Sequence, residues 1–164
     1  MTATTLREPA YLVSPNAVRY WALSALVGSL VLWVILFVAY AVVPEGVQTW
    51  LGPVAVALLL LRLVHLVLMP TVRYRVHRWE VTPTAIYTRA GWLTREQRIA
   101  PLSRVQTVDS TQGPVMRLFK LSSITVTTAS AAGPITIACL DQQVARRVVA
   151  ELTEITGRAE GDAT

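Results

Sequence analysis

YWALSALVGSLVLWVILFVAYAVV, residues 20–43, runs for 24 positions without a charged side chain. At about 1.5 Å of rise per residue it makes a helix of about 36 Å, enough to cross the roughly 30 Å hydrocarbon core of a bilayer with some tilt. A cleaved secretion signal has a shorter apolar region, about 7–15 residues. The nearest match to its small-residue cleavage pattern, Ala39-Tyr40-Ala41, lies inside the apolar run, which continues past it. The segment is therefore expected to stay in the membrane. Residues 47–69 form a second apolar stretch, and beyond Pro70 the chain becomes polar. This pattern predicts two transmembrane helices carrying one small domain.

Composition supports that division. Hydrophobic residues make up 53% of the 164, yet charges return densely after Met69, so the average conceals two solvents. Residues 73–157, about 85 in number, suit a single small domain. The expected organisation is an N-terminal cytoplasmic segment over 1–19, a membrane hairpin over 20–69, a domain over 70–157 and a flexible tail over 158–164. Arg7 and Arg19 precede the first helix, Glu45 is the one charge in the connection 44–50, and Arg73, Arg75 and Arg78 follow the second helix. Cationic flanks stay on the cytoplasmic side, so both termini are expected there, with Tyr20, Trp21 and Trp50 in the interfacial zones. A single cysteine, Cys139, permits no intramolecular disulfide. It alternates with Ile135 and Ile137, and so is expected to point into a core.

Arg62 and His65 interrupt the second span. An ionisable group at membrane depth is a functional candidate. Arg62 lies about 12 Å of helix from Pro70, and its long stem can carry the guanidinium toward the head groups. With Met69, Arg62 and His65 share one helical face, which also suits a helix or subunit contact. Specific lipid contact is a third reading. A proton or ion path would need more, because neither span contains an acidic residue to partner these cations.

The polar portion reads as antiparallel sheet. Strands are expected over 73–81, 84–89, 92–99, 103–110, 121–128 and 134–140, all rich in Val, Ile, Thr and aromatics. Ala90-Gly91 suits a tight hairpin and Thr82-Pro83 a turn. Between strands, residues 115–119 predict one helical turn. Asp141 then suits an N-cap, Val144, Val148, Leu152 and Ile155 recur at helical spacing, and Gly157 suits a C-terminal stop.

Two motifs in this portion resemble a known pattern. Residues 99–106, IAPLSRVQ, resemble its "I-P-x-x-R-I-Q" segment, and residues 112–117, QGPVMR, its "Q-G-x-x-x-R" turn. Valine-threonine strands and a helix follow in the same order. The chain is thereby similar to the bacterial pleckstrin-homology (PH)-like domain of small YdbS-like membrane proteins. The resemblance implies two packed antiparallel sheets with a C-terminal helix across one open end, in a bacterial cell membrane. Two departures stand out. Lys120 occupies a position where the pattern places Gly, and six strands are read where the full fold has seven. The alternation slips between Val76 and Trp79, where the seventh is expected to hide.

A PH-like fold does not by itself imply phosphoinositide binding. Lipid-binding members use a basic loop between the first two strands, and here that connection is Thr82-Pro83-Thr84. Residues 70–157 hold eleven Lys or Arg against six acidic residues, a net +5, so Arg73, Arg75 and Arg78 are expected to meet the membrane surface. No nucleic-acid recognition motif accompanies that charge. His65 and His77 have no acidic residue at triad or metal-ligand spacing, and no glycine-rich phosphate loop occurs, so no catalytic, cofactor or metal residue is assigned. The expected function is a non-enzymatic membrane module that binds a protein partner or copies of itself, with Trp92, Leu93 and Arg104 as the partner surface. Anionic-lipid binding, as an accessory to lipid or envelope transport, is the alternative, and a small transporter subunit the third.

Overall fold

Two long helices, α1 (Asn16–Val42) and α2 (Glu45–Val76), open the computed structural model, which describes residues 8–130 and 133–161. Among the described residues, none in the most apolar window of either helix is buried. That suits lipid as the surrounding solvent rather than a soluble core. The connection is shorter than the expected 44–50, because α2 begins at Glu45, a carboxylate in the first turn that favours the helix N-terminus. Gln48 Nε2 donates to the Tyr40 and Val43 carbonyls at 3.2 and 3.0 Å, satisfying acceptors that the end of α1 leaves open.

The second helix corrects a sequence expectation. Pro70 does not end it: α2 continues through Pro53 and Pro70 to Val76, so residues 73–76 are helical and not the start of a strand. A proline removes one backbone donor, and here Met69 and Pro70 are buried against the rest of the protein, which holds the helix together across the break.

His77 alone separates α2 from β2 (Arg78–Val81). β2, β3 (Ala85–Ala90) and β4 (Glu96–Pro101) form an antiparallel sheet whose outer strand is β1 (Tyr11–Leu12), paired Tyr11 to Trp79 and Leu12 to Arg78. β1 is the seventh strand. It comes from the segment ahead of the membrane helices and not from a break within 73–81, and two residues are too few to show an alternation. The strand expected over 92–99 begins at Glu96, since residues 91–95 form the turn. Gly91 has φ +110°, and a Cβ there would lie 1.8 Å from the Thr94 carbonyl oxygen, so only glycine fits.

A 3₁₀ turn, Leu102–Arg104, leads to the second sheet, in which β5 (Val105–Thr111), β6 (Leu121–Thr128) and β7 (Ile135–Asp141) pair antiparallel in that order. The single helical turn between β5 and β6 is α3 (Pro114–Leu118). α4 (Gln142–Gly161) closes the sandwich, with Asp141 Oδ1 accepting from the Gln143 amide at 2.9 Å. It passes through Gly157, which therefore does not act as the stop, and residues 158–161 belong to the helix. The last residues of the expected tail, 162–164, lie outside the described residues. Ile86, Leu102, Ile124, Val126, Ile137 and Leu152 lead an aliphatic core between the sheets and α4.

Candidate functional site

A bulge in β6 and β7 builds the distinctive site. Ile135, Ile137 and Leu140 of β7 face the sandwich core, so alternation breaks between Ile137 and Leu140. The register shifts at the same level of β6, between Ser122 and Ile124. Cys139 sits in the extra position with φ +55°, its amide donating to Ser123 Oγ at 3.1 Å. One added residue reverses the facing of a strand. Cys139 is therefore buried, but with Leu121 it points away from Ile135 and Ile137, toward the helices.

There a second cluster forms with Val13, Ala17 and Trp21 from the start of the chain and Met69 from α2. The Ser14 amide donates to the Cys139 carbonyl at 3.1 Å. The Arg73 guanidinium lies 4.5 Å from the Trp21 ring centroid, close enough for a cation–π attraction. The His77 ring is 5.1 Å from Trp21, and its Nδ1 donates to the Arg73 carbonyl at 2.8 Å. Burial pushes the His77 pKa below its ordinary value and the neighbouring Arg73 charge adds to this, against the opposing pull of the carbonyl hydrogen bond. Burial pushes the Cys139 thiol up to about 11 although Arg73 pulls it down, so the sulfur stays protonated and inert at neutral pH.

The three arginines expected at the leaflet are thus divided. Arg73 is stacked on Trp21, and Arg78 lies on β2 with a buried Nε that has no hydrogen-bond partner among the described residues. Arg75 is the exposed one. Arg62 and His65 line a groove of about 370 Å³ on α2 together with Leu58, Leu61 and Leu68. Its far wall is Trp92, from the β3–β4 turn, whose ring meets His65 edge-on at 5.2 Å. Leu93 beside it is 79% exposed.

Arg104 does not join Trp92 and Leu93 in one surface. It lines a separate cavity of about 290 Å³ with Arg98, Ile99, Thr128 and Ile135, in the seam between β4 and β7. Arg98 Nη1 spans that seam to the Pro134 carbonyl at 3.0 Å. Sequence reasoning missed the Trp21 cluster. A signal for it existed: Met69, Arg73 and His77 recur every four residues and so share one helical face. Among the described residues, no three His, Cys, Asp or Glu side chains converge as metal ligands would.

Comparison with known proteins matches residues 20–156 to the bacterial PH domain. That span includes both apolar helices as well as the sandwich. The UPF0699 transmembrane protein YdbS of Bacillus subtilis (strain 168) is 30% identical over 125 residues, covering 75% of this chain and 79% of that protein. No solved structure gives a significant match.

Proposed function

Because this chain belongs to the bacterial PH domain family and is a YdbS-like membrane protein, we propose that it is a non-enzymatic, multi-pass protein of the cell membrane whose domain docks a protein partner, or another copy of itself, at the cytoplasmic leaflet. The observation that carries this reading is the free edge of β4. β4 pairs with β3 on one side and ends the sheet on the other, and it displays Gln97 and an Ile99 that is 44% exposed. Such an edge offers unpaired backbone groups to an added strand, while the adjoining seam offers Arg104 for side-chain recognition. Both termini are cytoplasmic in this reading, because Arg7, Arg19, Arg73, Arg75 and Arg78 flank the membrane on one side and Glu45 alone marks the other.

A photoreactive residue placed at Ile99 of the full chain in native membranes tests the docking edge. A discrete protein adduct, lost when Gln97 is changed to Lys but formed normally when the exposed Gln143 of α4 is changed to Lys, is the expected result. Absence of any protein adduct from both Ile99 and Arg104 would remove the reading. Topology is checked separately by cysteines introduced into a Cys139→Ala chain: one at Gln48 should react with an impermeant reagent from outside intact cells, and one at Thr164 should not.

Lipid binding has an observation in its favour as well, namely the position of the β3–β4 turn against α2.

A further inference from the structure

We propose that the groove between α2 and the β3–β4 turn binds one anionic phospholipid, with the phosphate on Arg62 and an acyl chain along Leu58, Leu61 and Leu68. The inference is independent of any partner on β4.

Charge is the first argument. Arg62 lies within the apolar part of α2, seven residues before Met69, and neither membrane helix carries an acidic residue over its apolar stretch. Among the described residues it makes no ion pair. A cation held at that depth is costly without a counter-charge. With none supplied by the helices, the anion available where bilayer meets domain is a lipid phosphate.

Shape is the second. A lone arginine on a bare helix would meet lipids only as a point charge, but here a second wall stands beside it. Trp92 is set edge-on to His65 at 5.2 Å. The turn that presents it is held by Gly91 in a backbone conformation open only to glycine. The result is a formed groove of about 370 Å³ with an aliphatic floor and few polar groups, the guanidinium, the imidazole and the indole N–H. Leu61, Val64 and Leu68 of its lining are exposed along with the rest of the apolar surface of α2, and Leu93, next to Trp92 in the turn, is exposed as well. An indole suits the level where head groups give way to chains. A polar peptide would have to shed its hydration to enter there, whereas a phospholipid is already present with its chain beside the aliphatic floor.

The test uses the full chain reconstituted in phosphatidylcholine bilayers containing spin-labelled phosphatidylglycerol or spin-labelled phosphatidylcholine, with the immobilised fraction of each read by electron paramagnetic resonance. Phosphatidylglycerol should be retained about fivefold over phosphatidylcholine, the ratio that corresponds to about 1 kcal/mol for one well-placed cation. Arg62→Gln should bring the ratio to about one, Arg62→Lys should keep most of it, and Trp92→Ala should reduce it although the charge is intact. Arg75→Gln, which removes an exposed cation outside the groove, should leave it unchanged. The proposal fails if Arg62→Gln retains the wild-type ratio, or if Arg75→Gln lowers it equally, which would mean a diffuse surface charge. A change in oligomer size on Arg62→Gln with no change in lipid ratio would assign the groove to a second copy instead. Thermal midpoints of all variants in the same bilayers separate loss of the site from loss of the fold.

Discussion

The two buried clusters of this protein are made of different materials. Between the sheets, Ile86, Ile124, Val126, Ile137 and Leu152 pack with no polar group among them, and every one comes from the domain itself. At the junction, an indole, a guanidinium, an imidazole and a thiol meet, drawn from the start of the chain, the end of α2 and the bulged edge of the domain. An aliphatic core is non-directional and sets stability. A cluster of stacked rings and hydrogen bonds is directional and sets orientation. Here it ties the domain to the membrane helices at two places at once, through His77 between α2 and β2 and through β1 on the outer edge of the same sheet. A domain on a flexible linker would sample many attitudes above the bilayer. This one packs directly on its helices, with Trp92 against His65.

The sharpest way to separate the clusters is to damage each alone. Leu152 of α4 is fully buried, and Leu152→Ala should destabilise the domain by about 2–5 kcal/mol, the usual cost of such a cavity. Chemical unfolding of the detergent-solubilised chain, followed by its strand signal in circular dichroism, reads this directly. Trp21→Ala should act elsewhere. It removes the Arg73 stacking, worth about 0.5–2 kcal/mol, and empties the centre of the junction. Amide exchange at Ser14 and Cys139 should then quicken by about tenfold for each 1.4 kcal/mol lost, while Ile124 and Val126 stay protected. Equal acceleration in both regions would show that the two clusters are one cooperative unit and that the contrast is only one of composition.

Which parts of this arrangement the sequence reveals follows from which are periodic. The uncharged run from residue 20, the alternation in β6 and the stripe of Val148 and Leu152 each repeat over many residues, so the helices, sheets and aliphatic core are legible. The junction is not periodic. β1 is two residues long, and the Pro70 that signals a helix end is overridden by burial of Met69 and Pro70. Cys139 looks like a third member of the Ile135–Ile137 face until a bulge turns it round. The meeting of Trp92 with His65, and the separation of Trp92 from Arg104, depend on how two turns are carried in space, and local pattern does not encode that.

Acidity offers a gentler test of the junction. The folded protein holds His77 below its ordinary pKa, chiefly by burial, so below about pH 6.5 an unfolded chain takes up a proton there before the folded one does. Stability contributed by neutral His77 is thus fully present above that pH and declines as pH falls through it toward the folded value. The thermal midpoint should drop more between pH 7.5 and 5.5 in the wild type than in His77→Gln, which cannot titrate. Parallel profiles for the two proteins would take His77 out of the account.

The smallest effect lies where the chain enters the junction strand. Lys120 holds φ +54° immediately before Leu121, fixed by its amide donating to the Arg117 carbonyl at 3.1 Å and its own carbonyl accepting from Gln142 at 2.9 Å. A left-handed conformation costs a non-glycine residue about 1–2 kcal/mol, and glycine gives back about 0.4–1 kcal/mol through the greater freedom of its unfolded chain. Lys120→Gly should therefore stabilise by up to about 1.6 kcal/mol, raising the thermal midpoint by about 2–4 °C for each 1 kcal/mol in a chain of this size. Cys139 has nearly the same φ, at +55°, but its side chain fills the junction, so Cys139→Gly should lower the midpoint. If both glycines moved the midpoint in the same direction, backbone relief and side-chain packing would not be separable here, and the bulge would be held by its hydrogen bonds alone.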